Sequence, residues 1–92
     1  MLFAFFAFVA WTQAQSVTVS GTVVGKDDGQ PVIGANIVIK GTTTGTVSDV
    51  DGHFRLTAPR PGATLVISFV GYRTKEVPAT ASMHIELETD AT

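Results

Sequence analysis

The chain has 92 residues, enough for one small domain and too few for a second hydrophobic core. Hydrophobic residues make up 45% of it and charged residues 15%, which is typical of a folded chain rather than a disordered one. Six basic and eight acidic side chains give a net charge of -2 without a basic cluster, which argues against a nucleic-acid partner. Because there is no cysteine, disulfide bonds and thiolate metal sites are excluded.

The chain begins with a segment unlike the rest, MLFAFFAFVAWTQA. Its unbroken apolar run, Leu2 to Trp11, is followed by Thr12-Gln13-Ala14, which is the pattern of a secretory signal cleaved after Ala14. A transmembrane helix needs about 20 apolar residues, roughly twice this run. No Lys or Arg precedes the run, so we expect the basic n-region to be truncated. Residues 1–14 are therefore predicted to be a signal peptide, and residues 15–88 an exported domain.

Alternating apolar and polar residues predict short β-strands along the rest of the chain. The predicted strands are Ser16–Gly25, Val32–Lys40, Thr46–Ser48, His53–Leu56, Thr64–Val70, Tyr72–Val77 and Ser82–Glu88. The residues expected to be buried in the first two are Val17, Val19, Val23, Ile33, Ala35, Ile37 and Ile39.

Glycine, proline and aspartate separate the predicted strands. We interpret Gly41–Gly45 as a loop that crosses between two sheets, and Asp49–Gly52 as a tight hairpin turn in which Gly52 takes a positive φ. No segment has the apolar repeat of a helix. The pattern predicts an all-β fold, a small antiparallel β-sandwich of about seven strands.

The acidic residues Asp49 and Asp51 beside Gly52 raise the alternative of a calcium loop. An EF-hand loop needs oxygen ligands at its first, third and fifth positions and a bidentate Glu at its twelfth. Counted from Asp49, the fifth position is His53 and the twelfth is Arg60. The structural turn is therefore the favoured interpretation. The alternative is a calcium ion held with help from Asp27 and Asp28 of another loop.

The remaining polar residues do not form a catalytic pattern. His53 and His84 are both expected to point outward from strands, and each stands alone in the sequence. No serine lies in a nucleophile elbow. Tyr72 is the one plausible aromatic contact for a glycan, and a packing role is favoured for it. We predict that the protein is not an enzyme and has no catalytic residue, metal ligand, cofactor or direct small-molecule site.

Two stretches together resemble a known family: VSGTVVGKDDGQPVIGANIVIKGTTTGTVSDVDGHFRL and LVISFVGYRTKEV. The chain is similar to the carboxypeptidase-regulatory-like domain, a transthyretin-like (prealbumin-like) β-sandwich. More narrowly, it resembles the version found at the N-terminus of SusC/RagA-type TonB-dependent outer-membrane transporters of Bacteroidetes-like bacteria. The matching features run in order from Val17 to Glu88.

The resemblance implies a periplasmic accessory domain, on the inner side of the outer membrane, ahead of a TonB box, a plug and a β-barrel that imports oligosaccharides or other nutrients. It implies protein partners: the TonB system, the plug and barrel of the parent transporter, and a partner lipoprotein. Residues 89–92 would then begin a linker towards a missing TonB box, and the sequence would be a fragment. The alternative is a freestanding exported β-sandwich that binds a protein or glycan at the cell envelope.

Overall fold

The computed structural model describes residues 16–90, so the predicted signal peptide and residues 91–92 lie outside the described part of the chain. Strands are the only extended regular elements in this range, as the alternation predicts. They are β1 Val17–Gly25, β2 Asn36–Ile39, β3 Gly45–Val47, β4 His53–Ala58, β5 Thr64–Ser68, β6 Lys75–Pro78 and β7 Ser82–Leu87. Across the described residues, no helix is long and apolar enough to span a bilayer.

The strands form two sheets, β4-β1-β7 and β3-β2-β5-β6, which confirms the prediction of a seven-strand sandwich. Every pair of neighbouring strands is antiparallel except β1 and β7, which are parallel over Ser20–Gly25 and Ser82–Leu87. The sheets are therefore antiparallel, as predicted, apart from this one pair. Alternation cannot reveal this, because side chains alternate in the same way in both kinds of pair.

The core lies between the two sheets and receives one face of each. Strand β4 illustrates the pattern, since its residues alternate regularly between exposed and buried from His53 to Ala58. The largest side chains with essentially no exposed surface are Ile37, Leu65, Ile67, Ile85, Leu87, Val19 and Val23. Burying such aliphatic side chains supplies the main driving force for folding, about 1.5–3 kcal/mol each.

The stretch before β2 departs from the predicted alternation. Ile33, expected in the core, is 55% exposed, whereas Val32 is only 4% exposed. The reason is that β2 begins at Asn36, so the preceding residues are not pleated. Val32 N–H instead donates to Val23 O at 2.9 Å, and Gly34 has φ 80°. This local bend moves Val32 inward and Ile33 outward.

The crossing between the sheets also differs from the prediction. Strands β2 and β3 are antiparallel neighbours in one sheet, so the glycine-rich loop between them closes a hairpin and does not cross. The chain changes sheets between β3 and β4, through Ser48–Gly52. Asp49–Gly52 is therefore a turn between the two sheets, and the prediction of a hairpin there is wrong. A turn signal in a sequence shows where the chain reverses or bends but not which strands pair afterwards.

The strand directions divide the loops between two ends of the sandwich. We call one the Asp90 end, formed by residues 26–35, 48–52, 69–74 and 88–90. The other, the Ser16 end, is formed by Ser16 and residues 40–44, 59–63 and 79–81. Because β1 and β7 are parallel, the first and last described residues lie at opposite ends.

Candidate functional site

The acidic turn, the first candidate site, is held together by its own hydrogen bonds. Gly52 N–H donates to Asp49 O at 2.9 Å, and Gly52 has φ 78°, a conformation that glycine adopts at little cost. Asp49 Oδ1 accepts two further backbone hydrogen bonds, from the N–H groups of Asp51 and His53, both at 2.9 Å. The first role of Asp49 is therefore to close the turn.

The same turn brings three potential ligands together. Atoms of Asp49, Asp51 and His53 all lie within 4.8 Å of one another, and the three residues are exposed. The prediction that His53 stands alone does not include this group, although the alternate spacing of the three residues in the sequence is a signal for it. Calcium takes six to eight oxygen ligands, and Asp49 Oδ1 already accepts two hydrogen bonds. The group is incomplete as a calcium site, and the assignment of no metal ligand stays a prediction.

The two histidines are exposed, as their positions in alternating strands predict. They share one row of the outer sheet face, because His53 on β4 and His84 on β7 are both paired with Thr22 on β1. Their separation in sequence hides this relationship, which depends on the order of the strands. Two histidines two strands apart do not complete a zinc site, which normally has four ligands.

Ser48 is the one buried polar side chain among the described residues, with 3% of its surface exposed. Its Oγ accepts a hydrogen bond from Ala35 N–H at 2.9 Å and donates one to Val32 O at 2.6 Å. Both neighbours belong to the bend that precedes β2. Ser48 therefore satisfies backbone groups that the unpleated bend leaves without sheet partners, and its hydroxyl both accepts and donates a hydrogen bond in this structural role.

Charged residues tie the end of the described chain to the sandwich. Glu88 accepts a hydrogen bond from Lys26 Nζ at 3.2 Å, and Arg73 Nη1 lies 3.8 Å from its other carboxylate oxygen. The hydrogen bond and positive charge of Lys26, with a smaller contribution from Arg73, lower the pKa of Glu88 below its ordinary value. All three side chains are more than half exposed, so each contact contributes little stability.

Tyr72 lies in the turn between β5 and β6, outside the strand predicted for it. Its ring packs against Phe69, with the ring centroids 6.0 Å apart and the planes tilted by 43°. Its backbone forms a bridge with Thr89. These contacts give Tyr72 the packing role that the sequence favours, and they connect the turn to the C-terminal residues.

The family of the chain follows from its sequence matches. Residues 19–92 match the family model described as the CarboxypepD_reg-like domain. The chain belongs to the CarboxypepD_reg-like domain family. This confirms the resemblance drawn from the sequence motifs.

Several proteins similar in sequence to this chain are TonB-dependent receptors. The chain is 51% identical over 77 residues to the TonB-dependent receptor SusC of Bacteroides thetaiotaomicron, covering 84% of this chain and 8% of the receptor. Two TonB-dependent receptors of Formosa agariphila are 38% and 42% identical, and the chain covers 9% and 7% of them. The chain thus spans less than a tenth of the length of these relatives and is homologous to one small part of each.

Solved structures with the same architecture support the fold. A chain in the crystal structure of a type II cohesin–X-dockerin complex from Acetivibrio cellulolyticus superposes with a TM-score of 0.57 at 28% sequence identity. The match covers 76% of this chain and 51% of that chain. That complex is a C-terminal interface mutant. The crystal structure of an N-terminal interface mutant of the same complex gives a TM-score of 0.53.

Proposed function

We propose that this chain is the non-catalytic, periplasmic N-terminal domain of a SusC-type TonB-dependent outer-membrane receptor that takes up oligosaccharides or other nutrients. The supporting observation is the 51% identity to SusC over most of the chain, together with the small share of SusC that is covered. A domain this small, attached to a large receptor, acts through protein contacts. Its proposed partners are the TonB system, the plug and barrel of the parent receptor, and a partner lipoprotein.

The proposed organisation follows the sequence: a signal peptide at residues 1–14, the β-sandwich at residues 15–88, and the start of a linker from residue 89. Export to the periplasmic side of the outer membrane is part of the same proposal, since the receptors it resembles depend on TonB.

The test is an immunoblot of outer-membrane and soluble periplasmic fractions from native cells, using an antibody raised against this domain. The proposal predicts an outer-membrane band many times the 9.7 kDa of this chain. A small band in the soluble periplasmic fraction would instead support a freestanding module that binds a protein or glycan. Deleting residues 16–88 from the receptor gene then tests the role of the domain, because unchanged nutrient uptake would contradict an accessory function.

A further inference from the structure

Large hydrophobic side chains are exposed at only one end of the described sandwich. Within residues 16–90 they are Ile33 at 55%, Val47 at 57%, Val50 at 71% and Val70 at 86% exposure. Ile33, Val50 and Val70 lie in loops of the Asp90 end, and Val47 is the last residue of β3 before the loop that contributes to this end. Single exposed hydrophobic residues are common on proteins, but a group of them at one end indicates an interaction surface.

The loops that carry these side chains contact one another. Gly34 N–H donates to Ser48 O at 2.9 Å, which joins the loop of Ile33 to the turn of Val50. An added Cβ on Gly34 would lie 3.8 Å from the Phe69 ring, which places the Val70 turn against the same loop. The exposed side chains are therefore presented by mutually supported loops.

Charge also distinguishes the two ends. The acidic residues of the Asp90 end are Asp27, Asp28, Asp49, Asp51, Glu88 and Asp90. Its basic residues, Lys26 and Arg73, both pair with Glu88, so the aspartates have no basic partner among residues 16–90. The loops of the Ser16 end carry the basic residues Lys40 and Arg60 and no acidic residue. A surface complementary to the Asp90 end is thus apolar and flanked by basic residues.

The path of the chain indicates which partner covers this surface. Asp90 N–H donates to Gly71 O at 3.0 Å, so the last described residue lies beside the turn that presents Val70. Under the proposed N-terminal position, the rest of a receptor of the length of SusC, of which this chain covers 8%, follows this end of the domain. If the connection is short, it keeps the following segment at an effective concentration of about millimolar, which reduces the apolar area that docking needs.

Resting on the proposed function, we propose that the Asp90 end docks onto an apolar, basic-rimmed surface of the receptor polypeptide that follows this domain. Ile33, Val50 and Val70 supply the apolar contact, and the unpaired aspartates supply the charge complementarity. The domain is then held against its own receptor, and the outer faces and edges of its sheets are left available to other proteins.

Photo-crosslinking in the full-length receptor tests this proposal. The amino acid p-benzoylphenylalanine replaces Val70 in one variant and Thr43, an exposed residue at the Ser16 end, in a matched control. Cells are irradiated, outer membranes are isolated, and mass spectrometry maps the crosslinked peptides. We expect the Val70 probe to give several-fold more crosslinks than the Thr43 probe to later residues of the same polypeptide.

A second pair of variants distinguishes crosslinks that depend on docking from crosslinks that form only because both parts belong to one polypeptide. With the probe at Val70, the double substitution of Ile33 and Val50 by serine should lower the crosslink yield several-fold, whereas Thr43→Ser should not. A yield that is unchanged by the double substitution, or crosslinks chiefly to another protein or a second copy, would overturn the docking inference.

The same samples distinguish the failure of docking from the failure of the proposed function. A receptor-sized band in the outer membrane without an excess of Val70 crosslinks leaves the proposed function intact and overturns docking. A small periplasmic band overturns both.

Discussion

Replacing Ser48 by alanine should destabilise the sandwich far more than the loss of one hydroxyl group from a surface would. The side chain has 3% exposure and connects Ala35 N–H and Val32 O, which have no sheet partners because the backbone bends before β2. Alanine leaves one donor and one acceptor buried without partners. Since each such group costs about 1–3 kcal/mol, we expect a loss of about 2–6 kcal/mol in the free energy of unfolding.

The assay is thermal unfolding of the purified protein, followed by circular dichroism and checked by urea denaturation. For a domain of this size each kcal/mol corresponds to about 4–8 °C, so the melting temperature should fall by at least about 8 °C. The matched control is Ser82→Ala on the exposed end of β7, which should stay within about 0.5 kcal/mol of the parent protein.

Two results would refute the reasoning on Ser48. One is a Ser48→Ala variant whose melting temperature lies within the range of the Ser82→Ala control. The other is a Ser48→Val variant at least as stable as the parent, because valine keeps the volume but supplies neither hydrogen bond.

Three further substitutions probe the turn, the core and the terminal charges. Gly52→Ala should lower the free energy of unfolding, measured by urea denaturation, by about 2 kcal/mol or more. An L-residue disfavours the φ of 78°, and a Cβ would lie 2.5 Å from Val23 O. An unchanged midpoint would show that the turn adapts freely. Ile67→Ala should cost about 2–5 kcal/mol in the same assay, whereas Ser68→Ala on the same strand should cost much less, and equal losses would contradict the core assignment. Glu88→Gln tests pH dependence: a lowered pKa in the folded protein adds stability above the ordinary value of 4.5, and this is lost as pH falls through the lowered pKa. The parent protein should therefore exceed Glu88→Gln slightly in melting temperature at pH 7 and by less at pH 3, and a difference that grows on acidification would contradict the assignment.

The strands themselves could be predicted because each has a buried and an exposed face, which the sequence records as alternation. Strand β4 is the clearest case, since His53, Arg55 and Thr57 are exposed and Phe54, Leu56 and Ala58 are buried. The prediction failed at Ile33, where alternation in the letters continues through residues that are not in a strand. A positive φ at Gly34 and a hydrogen bond to β1 decide that bend, and both depend on tertiary structure.

The candidate sites were less accessible from the sequence, because they join residues that pairing brings together. The row of His53, Thr22 and His84 exists only because β1 lies between β4 and β7. The ion pair of Lys26 and Glu88 likewise requires the last strand to return beside the first. Family motifs identified the domain where periodicity could not, since they record the order of turns and glycines along the whole chain.

The parallel pairing of β1 with β7 has a mechanical consequence. These are the first and last strands, and the chain enters β1 at one end of the sandwich and leaves β7 at the other. Tension applied between the two ends of the domain therefore acts along both strands and shears their backbone hydrogen bonds together. A force directed across the strands would instead break the same hydrogen bonds one at a time, and a weaker force would be enough. The pairing of β1 and β7 thus favours resistance to a pull along the strands over a pull across them.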